Sequence, residues 1–219
     1  TRMRAAIARR MTHSKQQAPH FYVSAEIEMD AVIDAADRLN TDRPREERMS
    51  LTAFLVRALA EVLPMHPMFN AVWRDDGALE RVEAVNIGVA VAVEDGLIAP
   101  ALLDCAGRSV DDIGAALRDL VERTRAGRLR AAEINDATFT LSNLGMYDIS
   151  AFTAIINPPQ VAILATATTE ARAVVRNGQV AVRQVMTATL SADHRAVDGV
   201  GAAELLADLK EVLASPGSW

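Results

Sequence analysis

The dipeptide Asn177-Gly178, set between AVVR and QVAVRQVMTATL, constrains the fold of this chain more than any other feature. Both residues tolerate positive φ, as the tight turn of a two-residue hairpin demands, so the apolar runs on either side must pair antiparallel. Asp76-Gly77 after AVWRD and Asp95-Gly96 between NIGVAVAVE and LIAPALL repeat the signal. Tight hairpins argue against a doubly wound parallel sheet, whose strands need long crossovers. Between the hairpins, apolar residues recur at helical spacing. MRAAIARRMTHSKQQ puts Met3, Ile7 and Met11 on one face, with Arg4, Arg9 and Arg10 elsewhere. AVIDAADRLN is a second helical stretch, and a third carries Leu51, Phe54, Leu55, Ala58, Leu59, Val62 and Leu63 before Pro64 closes it. Ser109 and Asp112 form a capping box ahead of Val110, Ile113, Leu117 and Leu120, with Gly127 placed to end that helix. A final helix carries Leu205, Leu206, Leu209 and Leu213 on one face. HFYVSAEIEM, ATFTLSNLG and VAILATA read as strands. This interleaving predicts α+β layers with a mixed, largely antiparallel sheet. The charged segment 41–49 is a loop too short to separate domains, so one domain is expected over 1–219.

Composition narrows the function. The net charge of -6 and nine aromatic residues give no basic field or stacking platform for nucleic acid, although a small anionic ligand needs only a local basic pocket. Apolar stretches such as VAILATA fall far short of the roughly 20 residues that span a bilayer, and the amino-terminal segment lacks a signal pattern. No membrane partner is expected. The single cysteine, Cys105 in LLDCAGRS, cannot form an intrachain disulfide or a multi-cysteine metal site. With no histidine near it in sequence, it reads as a buried thiol rather than a nucleophile.

The histidines are unequal. His13 on a polar helix face, His20 at a strand start and His66 between prolines each read as surface or packing residues. His194 follows the strand VMTATL directly, in SADHRAVDGVGAAELL, where a rigid scaffold holds a side chain toward a cleft. Asp198, four residues on and followed by Gly199, can fix the local geometry directly or through an arginine. An imidazole suits thiol deprotonation near neutral pH; a strand-end histidine that merely caps the next helix is the competing reading. In FTLSNLGM, Ser142 ends a strand beside Asn143 and is placed to donate to an oxyanion, although Ser, Asn and Gly are also ordinary turn residues. The G-x-S-x-G elbow of a serine hydrolase, the paired histidines of a zinc site, a P-loop and a dinucleotide fingerprint are all absent.

Together, MRAAIARRMTHSKQQAPHFYVSAEIEMDAV, NIGVAVAVEDGLIAPAL, ATFTLSNLGMYDISAFTAIINPPQVAILA and SADHRAVDG resemble, in order, the catalytic domain of the acyltransferases of 2-oxoacid dehydrogenase complexes, in the wider group of chloramphenicol acetyltransferase. The resemblance implies that group's two-layer fold and acyl transfer between a dihydrolipoyl thiol and coenzyme A. It implies His194 as general base, Asp198 as its support and Ser142 as stabiliser of the tetrahedral intermediate, with His194 and Ser142 drawn from different chains of a homotrimer. Ser50 and Asn143 fall near coenzyme A, and Arg9 or Arg10 is expected to pair with Asp198. No metal is implied. Trimers of such proteins build cores of 24 or 60 subunits, with the carboxyl-terminal region and Trp219 as assembly contacts. Lipoyl and peripheral-subunit-binding domains, through which 2-oxoacid dehydrogenase and dihydrolipoamide dehydrogenase are engaged, are not expected within 1–219. The implied compartment is a bacterial cytoplasm, or the mitochondrial matrix in a eukaryote. Acetyl is the expected acyl group, with succinyl or branched-chain transfer, a mainly structural scaffold, and acetylation of a small hydroxyl compound as alternatives.

Overall fold

The computed structural model describes residues 1–94 and 96–217. Two expectations fall outside them: Trp219 as an assembly contact, and Asp95 of the Asp95-Gly96 turn. Helix α1 (Arg2–Gln17) begins at Thr1, whose hydroxyl accepts from the Arg4 N–H at 3.2 Å. Strand β1 (His20–Glu28) and helices α2 (Asp30–Asn40) and α3 (Leu51–Val62) follow. Next come β2 (Ala71–Trp73) and β3 (Leu79–Arg81), paired across the Asp76-Gly77 turn. Short strands β4 (Ile87–Val89), β5 (Val91–Val93), β6 (Gly96–Ile98) and β7 (Ala101–Leu102) lead to helices α4 (Val110–Arg125) and α5 (Ala131–Asn135). Strand β8 (Phe139–Asn143), the long strands β9 (Ala162–Arg176) and β10 (Gln179–Asp193), and helix α6 (Gly199–Ala214) complete the order.

The main sheet runs β1-β10-β9-β8-β4-β7. Neighbours β1/β10, β10/β9 and β4/β7 are antiparallel, whereas β9/β8 and β8/β4 are parallel. The mixed, largely antiparallel sheet expected from the sequence is therefore present. Its longest pairing turns at Asn177 and Gly178, whose φ values of 51° and 77° are the positive angles the sequence predicts.

Side chains alternate across β8. Phe139 and Leu141 enter the core with Phe54, Leu59, Leu205 and Leu209 of the helical layer, each large side chain contributing roughly 1.5–3 kcal/mol. Thr140 and Ser142 therefore face the other side of the sheet, where they share a cavity with Met3, Ile7 and Met11 of α1. The amphipathic face of the first helix thus serves a cavity rather than the main core.

Three details depart from the sequence reading. The run IGVAVAV forms two strands, because the Ala90 N–H donates to the Leu141 carbonyl (3.0 Å) and the chain then leaves the main sheet for the β5/β6 hairpin. VAILATA and AVVR, read as separate elements, are one continuous strand. Helix α5 was not anticipated. Five residues carry too little periodicity, and a tertiary contact stabilises it: the buried Glu133 carboxylate accepts from Arg123 at 2.6 and 2.7 Å and from the Arg130 N–H at 2.7 Å.

Candidate active site

His194 is the first residue beyond β10 and is solvent-exposed. Its N–H donates to the Pro19 carbonyl at 3.1 Å, and its ring lies 4.7 Å from that of Phe21 at 50°. Among the described residues no carboxylate of the same chain touches the imidazole. Asp198 instead caps α6, its Oδ1 accepting from the Gly201 N–H at 2.9 Å. The expected pairing of Asp198 with Arg9 or Arg10 does not occur within the chain. The orphan N–H groups of the helix start take up the Asp198 carboxylate, and Arg10 donates to the Pro158 carbonyl.

Ser142, the penultimate residue of β8, is half-buried, and its hydroxyl has no partner in the chain among the described residues. It lies where two cavities meet. One, of about 720 Å³, is lined by Ser50, Thr52, Asn143, Leu117, Val121 and the cations Arg48, Arg118 and Arg125. The other, of about 490 Å³, lies under α1 and is largely apolar. Among the described residues, only Ala90, Leu97 and Ser142 line both. Ser50 and Asn143, expected near coenzyme A, therefore share one cavity with Ser142. Ser50 caps α3 by accepting from the Ala53 N–H at 3.3 Å. Asn143 donates to Thr52 Oγ1 at 3.0 Å and accepts from the Gly145 N–H at 2.8 Å, fixing the turn after β8. Basic side chains around an apolar trough suit a long ligand with anionic and apolar parts.

Ser142 and His194 do not meet within one chain. Ser142 is level with Ala165 on β9, and Ala165 with Thr189 on β10. His194 lies five residues farther along, which at ~3.4 Å per residue and ~4.8 Å between strands separates the two by roughly 20 Å. The family model for the catalytic domain of 2-oxoacid dehydrogenase acyltransferases matches residues 1–219. The chain belongs to this family. The dihydrolipoyllysine-residue acetyltransferase component of the pyruvate dehydrogenase complex of Rickettsia bellii is 39% identical to this acyltransferase domain over 98% of its length. The match takes up 51% of that protein, so the chain spans about half the length of the curated relatives it matches. Dihydrolipoamide acetyltransferase of Azotobacter vinelandii, studied for the role of a serine, a histidine and an asparagine in its catalytic mechanism, superposes with a TM-score of 0.92. It is 29% identical, with 99% of this chain and 90% of that one covered. The cubic core of the pyruvate dehydrogenase multienzyme complex gives a TM-score of 0.91 at 29% identity, covering 99% and 90%. Chloramphenicol acetyltransferase, at 14% identity and a TM-score of 0.64 over 94% of each chain, shares the fold.

Three further side chains weighed in the sequence, His20, His66 and Cys105, are engaged by partners within the fold. His20 Nδ1–H donates to the Ala18 carbonyl at 2.8 Å, and Nε2 accepts from the Ile156 N–H at 3.1 Å. Burial lowers its pKa, against a smaller upward effect of the Ala18 bond. His66 pairs with Asp208 at 2.7 Å. Cys105 is fully buried, its S–H donating to the Leu102 carbonyl at 3.1 Å, and burial pushes the thiol up to about 11. The sequence reading missed Asp193, a carboxylate 1% exposed immediately before His194. An acidic residue in the final position of an apolar strand was the signal available.

Proposed function

We propose that this chain transfers an acyl group, acetyl in the first instance, between a dihydrolipoyl thiol and coenzyme A, as part of the core of a 2-oxoacid dehydrogenase complex in a bacterial cytoplasm or mitochondrial matrix. The observation that carries this reading is the placement of Ser142 where two cavities meet, with His194 too far along the same chain to serve it. A second copy must then supply the imidazole, and a closed homotrimer, in turn assembled into a larger core, meets that need. Coenzyme A suits the cavity with Ser50, Asn143 and the arginines, and a dihydrolipoyl group, carried on a separate domain, suits the apolar cavity under α1.

His194 removes the proton from the incoming thiol, and the thiolate sulfur bonds to the thioester carbonyl carbon. The carbonyl oxygen becomes an oxyanion that accepts from the Ser142 hydroxyl. The intermediate collapses with cleavage of the other carbon–sulfur bond, and the departing thiolate takes the proton back from the imidazolium. No acyl-enzyme forms. The serine, histidine and asparagine studied in the Azotobacter vinelandii protein are spaced along that chain as Ser142, His194 and Asp198 are here. Asp198 thus stands where that protein has asparagine. Both residue types are strong helix N-caps, which supports a role for Asp198 in starting α6 rather than as a charge on His194.

Thiol exchange between dihydrolipoamide and acetyl-, succinyl- or isobutyryl-coenzyme A tests the reading, with acetyl expected to be preferred. Neither Ser142→Ala nor His194→Ala should exchange well alone. Co-assembled in equal amounts, they should regain about a quarter of wild-type activity, since that share of interfaces joins an intact Ser142 to an intact His194. Folded, assembled wild-type protein without exchange activity would leave the scaffold role standing.

A further inference from the structure

Resting on the proposed reaction, we infer that Asp193, with Trp73 and Arg195, is the device that aims His194. The Asp193 carboxylate is almost wholly buried, and its oxygens collect donors from three directions. Oδ2 accepts from Trp73 Nε1 at 3.0 Å and from Arg195 Nη2 at 2.6 Å. Oδ1 accepts from the Arg195 N–H and from Arg195 Nε, each at 3.0 Å. The backbone of the same residue is held as firmly. Its N–H donates to the Val161 carbonyl at 3.0 Å, and its own carbonyl accepts from Ala196 at 3.0 Å and Val197 at 3.2 Å. Trp73 is itself fixed through its N–H to the Pro159 carbonyl at 2.8 Å, and the Arg195 guanidinium lies 4.6 Å above its ring.

Alternation explains why this cluster matters to its neighbour. Asp193 lies on the face of β10 that carries Ser191 and Thr189, opposite the core residues Leu190 and Ala192. Anchoring Asp193 there and closing the turn onto its carbonyl throws the next side chain to the other face. There Phe21, packed against the core, meets the imidazole. With no polar partner for its ring among the described residues, His194 takes its direction from the Asp193 anchor and from Phe21. Arg195 compensates the Asp193 charge at bidentate range, so the effect on His194 is one of placement rather than of field. Asp193, Trp73 and Arg195 are positioning residues, and a base displaced by about 1 Å can lose on the order of 10²-fold in rate.

The test is a double-mutant cycle on the assembled protein, reading thiol exchange with dihydrolipoamide and acetyl-coenzyme A. Asp193→Asn should lower kcat about 10- to 100-fold with both KM values unchanged. In a His194→Ala background, with imidazole in the buffer to supply a free base, the same substitution should cost nothing further. Trp73→Phe and Arg195→Lys, which keep ring and charge, should give smaller losses that likewise vanish in that background, and they preserve the test should Asp193→Asn fail to fold. An active protein in which these substitutions cost the same with and without His194 overturns the inference alone, because the cluster then acts structurally. A wild-type chain without exchange activity overturns the functional reading, and this inference with it.

Discussion

Replacing Ser142 by alanine separates an oxyanion donor from an ordinary turn residue. Among the described residues the hydroxyl has no partner, and Ser142 sits half-buried one residue before the end of a paired strand. Removing it therefore orphans no buried group, and the folding free energy should change by no more than about 0.5 kcal/mol. If the hydroxyl donates to the developing oxyanion, its loss removes one preorganised donor, worth roughly 2.7–4 kcal/mol or about 10²–10³ in kcat. Because the bond strengthens only as charge develops, the KM values for coenzyme A and dihydrolipoamide should stay near wild type. The assay is steady-state thiol exchange alongside urea unfolding of the same preparation. A kcat near wild type, or a loss carried by KM alone, would refute the oxyanion role and return Ser142 to the turn chemistry of its neighbours.

Cys105 should resist a water-soluble disulfide reagent in the native protein and react at the rate of unfolding, since the thiol is buried with its pKa near 11; rapid native labelling would contradict that burial. His20 should make stability pH-dependent. Its folded pKa lies below the ordinary 6.5, so the unfolded chain takes up the proton first as pH falls. This contribution is complete above about pH 6.5 and is lost as pH falls through the folded value, a slope in urea midpoint that His20→Gln should flatten. Gly178→Ala should cost about 1–2 kcal/mol in urea, because the position holds φ at +77° with nothing nearby for a Cβ to strike. An unchanged midpoint would mean the hairpin turn is not a constraint on the fold.

Much of this protein was legible in its sequence because the relevant signals are local. Asn177-Gly178 demanded positive φ and set the longest strand pair, and Ser109 with Asp112 marked the start of α4. The spacing of Leu205, Leu206 and Leu209 gave the buried face of α6. His194 and Ser142 stood out as polar residues at strand ends, whereas Ser50 and Asn143 entered as site residues only with the family resemblance. The neighbours of those residues were not legible. Asp198 looked like a carboxylate for an arginine or for His194, but the start of α6 has free N–H groups closer at hand. Helix α5 depends on Arg123 meeting Glu133, and the break at Ala90 depends on the Leu141 carbonyl. Asp198 meets its partner three residues on, Arg123 meets Glu133 ten residues on, and Ala90 meets Leu141 from another strand; hydrophobic periodicity carries no information about which polar groups pair.

The sequence by itself determined the elements, the faces they bury and the chemical types available for catalysis, because propensity, turn geometry and alternation act over a few residues. Only the tertiary structure decided where those types stand: Ser142 at the meeting of two cavities, His194 roughly 20 Å away at the far end of the sheet, and Asp193 buried between Trp73 and Arg195. Those placements follow from strand order and register, which are fixed by the packing of the whole core rather than by any segment of it.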